Sequence, residues 1–202
     1  MPYAAQMHKL RIHAFAVPAR DRASIRDRHL GQREMSTEIV VGSRVPHVKL
    51  GYLSNGDVAT VNACDLFAGA RSVVLGIPGA FTPVCTRQHV PDFVANADEI
   101  AASGYSQLIC IAPNDPFTLE TWRAQVDPQS KIRFLSDGNL DFCRALGLNE
   151  AHRDLFLGQR SKRYLLLVND GVIQRVRVES SILTYACTRA EHVLMEDVLI
   201  EA

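Results

Sequence analysis

Two short apolar runs with a helical stretch between them constrain this chain most. Residues 72–77 read SVVLGI and residues 108–112 read LICIA. Neither run alternates polar with apolar, so each predicts a strand buried on both faces, as in the interior of a parallel sheet. Between them Val90, Phe93, Val94, Ala97, Ile100 and Ala101 recur at spacings of three and four, which predicts one buried helix face. Gly104 follows as a stop signal. Strand, helix, strand is a βαβ unit, and its crossover is expected to be right-handed.

The flanking sequence extends this unit. Ser54-Asn55-Gly56-Asp57 predicts a tight hairpin turn within residues 49–62, and Asn169-Asp170-Gly171 predicts a second one between residues 163–168 and 172–178. Residues 116–126 read as helix, 131–135 as strand, and 140–146 as a short helix stopped by Gly147. Near the C-terminus Thr188 and Glu191 form a capping-box pattern, with Ala190, Val193, Leu194 and Val198 as the apolar stripe of a last helix. The order predicts an α/β fold, a central mixed β-sheet with helices on both faces. A thioredoxin-like architecture fits, as do several other α/β folds.

A chain of 202 residues accommodates one full domain. Residues 1–34 carry seven basic and three acidic side chains with little periodicity, so residues 1–36 are expected to be a poorly ordered extension and 37–202 the domain. The first twenty residues contain no acid, as in a transit peptide, although Asp21 and Asp27 interrupt that pattern. Met35 as the true start is the third reading. A cytoplasmic address is expected, with a mitochondrial or other organellar one as the alternative if residues 1–34 act as a transit peptide. Lys plus Arg and Asp plus Glu number 22 each. This balance gives no footprint for nucleic acid or an anionic membrane, and no apolar run reaches the length of a membrane span. The five cysteines, at 64, 85, 110, 143 and 187, are odd in number and form no C-x-x-C. That excludes a fully paired disulfide framework and a zinc cluster, so free thiols in a reducing compartment are expected and no metal is assigned.

Cys85 stands apart from the other four. The segment Pro78-Gly79-Ala80-Phe81-Thr82-Pro83-Val84-Cys85-Thr86 leaves a buried strand and enters the helix. Open α/β sheets place ligands at that end of a strand. The first helical turn offers free N–H groups and a positive dipole end, which favour an anion such as a thiolate. Thr82 can bring a hydroxyl near the sulfur. Pro91, inside the helical pattern, removes one helix hydrogen bond and predicts a kink or restart. The competing reading, a small buried hydrophobe, is the common fate of a free cysteine, and the residues alone leave both open.

Residues 76–93, GIPGAFTPVCTRQHVPDF, resemble the peroxiredoxins, specifically the peroxiredoxin-5 (plant type-II) subfamily. Pro78, Thr82 and Cys85 keep the family spacing, and His89 and Pro91 match the subfamily's histidine-x-proline. Asn114-Asp115-Pro116-Phe117 with Trp122, and residues 158–164 (GQRSKRY), are similar to two further subfamily segments. The resemblance implies a thioredoxin fold. It also implies reduction of hydrogen peroxide and organic hydroperoxides without metal or organic cofactor, and a homodimer formed near the site. Cys85 would attack the peroxide and become a sulfenic acid, with Thr82 hydrogen-bonding thiolate and peroxide. Arg163 would hold Cys85 ionised, the Val84 and Cys85 N–H groups would assist, and Pro78 would shield the sulfur. Read alone, Arg163 is a solvated charge at a strand start. His89 orients the pocket or satisfies local backbone, and the structural role is favoured. Arg160 belongs to the network or the surface, and Phe81 and Trp122 to interface or core.

The resemblance also frames regeneration. Cys187, 24 residues after Arg163, matches the resolving cysteine of animal-type members, although residues 181–187 depart from their glycine-rich loop. Cys110, 25 residues after Cys85, matches the second cysteine of plant-type members, but its strand position favours packing. Cys143 reads as core, and Cys64 has no assignment. The reductant implied is glutathione or glutaredoxin, acting directly in a one-cysteine route, or thioredoxin. A peroxide sensor that relays oxidation to a partner protein, or a chaperone-like scaffold, is the alternative of a different class. Disulfide exchange on proteins is disfavoured by the missing C-x-x-C.

Overall fold

The computed structural model describes residues 39–198. The expected extension over residues 1–36, with the start at Met35, lies outside the described residues, as does the side chain of Val198. Strands β1 (Lys49–Ser54) and β2 (Asp57–Asn62) form the first hairpin, and both turn residues, Asn55 and Gly56, take the positive φ of a two-residue turn. The short helix α1 (Ala63–Phe67) is capped by the Asn62 side chain, which accepts from the Cys64 N–H. Strand β3 (Arg71–Gly76) follows.

The expected helix between the two apolar runs is present but not continuous. Pro83 and Val84 are helical, Cys85–His89 widens into a π-helical turn, and α2 (Val90–Ala95) and α3 (Ala97–Ala102) continue on either side of Asn96. The Val90 N–H reaches back five residues to the Cys85 carbonyl. Pro91, which has no N–H to give, sits just past this wide turn. Val90, Phe93, Ala97 and Ile100 are buried as the spacing requires, whereas Ala101 faces solvent.

Then come β4 (Gln107–Ala112), α4 (Pro116–Val126), β5 (Arg133–Ser136) and α5 (Asp141–Ala145). A two-stranded ribbon, β6 (Asn149–His152) with β7 (Gly158–Ser161), was not foreseen. Its residues are mostly solvent-facing, so no apolar alternation marked it. The chain closes with β8 (Tyr164–Asn169), β9 (Val172–Val178) and α6 (Glu191–Val198). The capping-box reading of Thr188 and Glu191 is corrected. The Thr188 hydroxyl donates to Glu179, and the Asp92 carboxylate accepts from the Ala190 N–H instead.

The seven-stranded sheet runs β2-β1-β5-β4-β3-β8-β9. Its centre is parallel, β3 with β4 and β4 with β5, and its flanks are antiparallel. This is the mixed sheet of a thioredoxin-like fold. Alternate residues feed two cores. Val73, Leu75, Cys110, Leu165 and Leu167 point to one face, where Phe93, Trp122 and Val193 cover them. Val74, Ile109, Ile111, Leu166 and Val168 point to the other, under Phe67 and Phe142. A strand buried on both faces has no polar side to alternate, which explains the unbroken runs in the sequence.

Register places the functional residues. Gly76, the last residue of β3, pairs with Tyr164, the first of β8. The loop leaving β3 therefore lies beside the residue entering β8. Gly76 has to be glycine here, since a Cβ would stand 2.0 Å from the Tyr164 ring. In the next hairpin Tyr164 pairs with Val178, which sets Glu179 opposite Arg163.

Candidate active site

Cys85 is fully buried on the first core face, in the opening turn of its helix. Thr86 is the first residue of this helix whose N–H finds a backbone acceptor, the Thr82 carbonyl at 3.0 Å. The N–H groups of Val84 and Cys85 thus belong to the unpaired donors of a helix N-terminus. Residues 78 apart in sequence meet at the sulfur: Arg163 Nη1 donates to Cys85 Sγ at 3.3 Å.

Arg163 is 1 % exposed, which overturns the reading of a solvated strand-start charge. Its fork is held on three sides. Nε donates to the Thr184 carbonyl at 3.0 Å and Nη2 to the Ile182 carbonyl at 2.7 Å. Nη1 reaches both the sulfur and His89 Nδ1, the latter at 3.0 Å. None of these four partners is a carboxylate. A buried cation left without an anion is costly. The sulfur is the one partner here that can become anionic.

His89 is more than a local structural residue. A guanidinium only donates, so Nδ1 is the acceptor and the proton of the neutral ring sits on Nε2. Burial, and then the Arg163 charge, bring His89 down from 6.5 to about 3. The Tyr185 ring covers it, with centroids 5.1 Å apart, and the Tyr185 hydroxyl bonds the Asp92 carboxylate. This has a consequence for acid stability. Between pH 6.5 and 3 the unfolded chain binds a proton at position 89 that the native chain refuses, so stability falls as pH drops through that window. Urea midpoints at pH 7 and pH 4.5 should therefore differ more in the natural protein than in His89→Asn, whose amide oxygen can replace Nδ1 as acceptor. Equal acid sensitivity in the two proteins would assign the effect elsewhere.

The other predicted residues fall around this pair. Thr82 does not donate to the sulfur as expected: its hydroxyl donates to the Gly79 carbonyl at 2.8 Å, which leaves the oxygen free to accept. Pro78 and Val84 are buried. Arg160 is half-buried, donates from Nε to the Leu157 carbonyl, and lies against Gly79, 3.3 Å from where a Cβ would stand. Asn114 Oδ1 accepts from the Ala80 N–H at 2.8 Å and so ties the end of β4 to the cysteine loop. Trp122 is core, with Nε1 donating to the Thr86 hydroxyl at 3.2 Å. Phe81 is half exposed and takes a left-handed backbone conformation.

The remaining thiols differ from Cys85. Cys110 is buried in the same core, and burial first, then the nearness of Cys85, push its thiol well up. Burial likewise pushes Cys143 up to about 12. Cys187 is half-buried, with Sγ against the Val178 carbonyl at 3.4 Å, and burial followed by Glu179 raises it. Cys64 sits apart, in the second core's margin near the Val45 carbonyl. Sequence reasoning missed Glu179, Tyr185 and the carbonyls of Ile182 and Thr184. Backbone acceptors carry no residue signature, and a single glutamate after a strand resembles any surface charge.

Comparison with known proteins bears on the family and the fold. The family Redoxin matches residues 40–194. Peroxiredoxin-2E, chloroplastic, from Arabidopsis thaliana is 39 % identical over 161 residues, spanning 78 % of this chain and 69 % of that protein. The structure of reduced Prx3 from Vibrio vulnificus in complex with hydrogen peroxide matches with a TM-score of 0.76 at 29 % identity, covering 81 % of this chain and 98 % of that one. Peroxiredoxin 5 from Alvinella pompejana matches with a TM-score of 0.67 at 32 % identity, over 78 % of this chain and 99 % of that one.

Proposed function

Since this chain belongs to the peroxiredoxins, in the subfamily of the plant type-II and peroxiredoxin-5 proteins, and is thereby a thiol peroxidase, we propose that Cys85 is its reacting thiol, with residues 37–202 as the catalytic unit. The observation that carries this reading is the buried Arg163 guanidinium donating to the Cys85 sulfur. The thiolate attacks one oxygen of hydrogen peroxide or an organic hydroperoxide. The O–O bond breaks, sulfur loses two electrons and keeps the attacked O–H as a sulfenic acid, and the other oxygen leaves as hydroxide or alkoxide and takes one proton from solvent to become water or alcohol. Arg163 Nη1 and the unpaired Val84 and Cys85 N–H groups stabilise the charge moving between sulfur and oxygen. The Thr82 oxygen, whose own proton is given to Gly79, accepts a hydrogen bond from the O–H of the bound peroxide, and Pro78 keeps bulk water off the sulfur.

Regeneration requires the turn at Cys85–His89 to open, because the sulfur is closed in. Cys187 is the proposed resolving residue. It lies in a loop, which moves at less cost than the interior strand that holds Cys110. Its thiol displaces the sulfenic oxygen as water and forms a disulfide, which thioredoxin or glutathione with glutaredoxin then reduces. The exposed Phe81 and Phe117 suit a homodimer contact beside the site. The relative's name, chloroplastic, supports an organellar address for a chain whose first twenty residues lack acid, over a cytoplasmic one. Disulfide mapping by mass spectrometry, after one equivalent of peroxide, tests the resolving step. A Cys85–Cys187 link is expected. A Cys85–Cys110 link, or a lasting sulfenic acid or glutathione adduct on Cys85, overturns Cys187 as the resolver.

A further inference from the structure

The loop that holds Arg163 is itself folded around one carboxylate. Glu179 follows β9, and its N–H donates to the Arg163 carbonyl at 3.0 Å. The side chain is 7 % exposed. Its Oε1 accepts from the backbone N–H groups of Ala186 at 2.7 Å, Cys187 at 2.9 Å and Thr188 at 3.0 Å, and from the Thr188 hydroxyl at 2.9 Å. Oε2 faces the Thr184 hydroxyl at 3.2 Å. Burial alone would push this carboxyl up, yet the hydrogen bonds from Ala186, Thr188 and Thr184 outweigh it and hold Glu179 below the ordinary range. It is therefore ionised at neutral pH, and its charge is held by the N–H groups of residues 186–188 and by the Thr184 and Thr188 hydroxyls.

The same loop supplies two of the acceptors of Arg163, the carbonyls of Ile182 and Thr184. Thr184 belongs to both systems, with its hydroxyl toward Glu179 and its carbonyl on Arg163 Nε. A line of contacts thus runs from Glu179 through residues 182–188 to the guanidinium and on to the sulfur. We propose that Glu179 is a positioning residue for the peroxidase reaction: by gathering the backbone of residues 184–188 it fixes the two carbonyls that aim Arg163 at Cys85. The proposal rests on the reading of Cys85 and Arg163 as the reacting pair.

The full chain serves for the test, since Trp122 is the single tryptophan and lies against Thr86, next to Cys85. Its fluorescence in stopped flow reports oxidation by hydrogen peroxide. Glu179→Ala should lower the second-order rate constant at least tenfold. Glu179→Gln, which keeps one acceptor oxygen and a better chance of folding, should fall between. The decisive arm is the same pair of substitutions in an Arg163→Ala background, where a residue acting through Arg163 has nothing left to lose and the further change should stay within twofold. Thermal midpoints should drop similarly in both backgrounds. Full additivity of the rate losses, or an unchanged rate for both single Glu179 variants, overturns the proposal. An unchanged rate in Arg163→Ala alone overturns instead the site reading beneath it, and is seen in its own arm.

Discussion

Cys85→Ser eliminates hydroperoxide reduction, with a loss of at least about 10^3-fold, while the fold persists. Serine replaces the sulfur nearly isosterically in a fully buried position, so packing changes little. The chemistry changes completely. A hydroxyl beside Arg163 does not ionise near neutral pH, and oxygen cannot take up a second oxygen as sulfur does. None of the shifted thiols can substitute: burial pushes Cys110 well up and Cys143 to about 12, and burial with Glu179 raises Cys187. A thiol held protonated is a poor nucleophile. Peroxide consumption in the presence of an added thiol reductant, with circular dichroism to verify the fold, measures this. Consumption that persists in Cys85→Ser removes Cys85 from its role.

The sequence carried most of the scaffold that puts Cys85 in place. The unbroken runs at residues 72–77 and 108–112 became paired parallel strands, and the two turns at Asn55-Gly56 and Asp170-Gly171 adopted the positive φ angles expected. These features are local, and their physics is written in residue type and spacing. The π-helical turn at Cys85–His89 was half legible, since Pro91 announced an irregularity without its form. The meeting of Arg163 with Cys85 was not legible from the residues, because it depends on the pairing of Gly76 with Tyr164. Resemblance to a family supplied it. Glu179 and the carbonyls of Ile182 and Thr184 escaped both routes, since a loop wrapped around a carboxylate is specified by long-range geometry.

Arg163→Lys separates charge from geometry at that meeting point, and it should retain only about 1–10 % of the oxidation rate. Lysine keeps the positive charge, but its donors radiate from one atom. A single ammonium cannot reach Cys85 Sγ, His89 Nδ1 and the carbonyls of Ile182 and Thr184 together, as the three guanidinium nitrogens do. Arg163→Ala should cost more, about 10^2–10^3-fold, because the sulfur then loses its charged donor altogether. It should also destabilise the protein, since two carbonyls and the His89 nitrogen lose their donor in a buried site. The histidine supplies an independent reading of the same event. Burial is the larger cause of its low value and the Arg163 charge the second, so in Arg163→Ala the His89 titration should move up only part of the way toward 6.5. The acid window of instability should narrow from its lower edge. Stopped-flow oxidation and urea midpoints against pH give both numbers on the same preparations. If Lys and Ala variants lose equal activity, the fork geometry decides catalysis; if Lys retains nearly all of it, charge alone suffices and the three-sided grip on Arg163 serves stability.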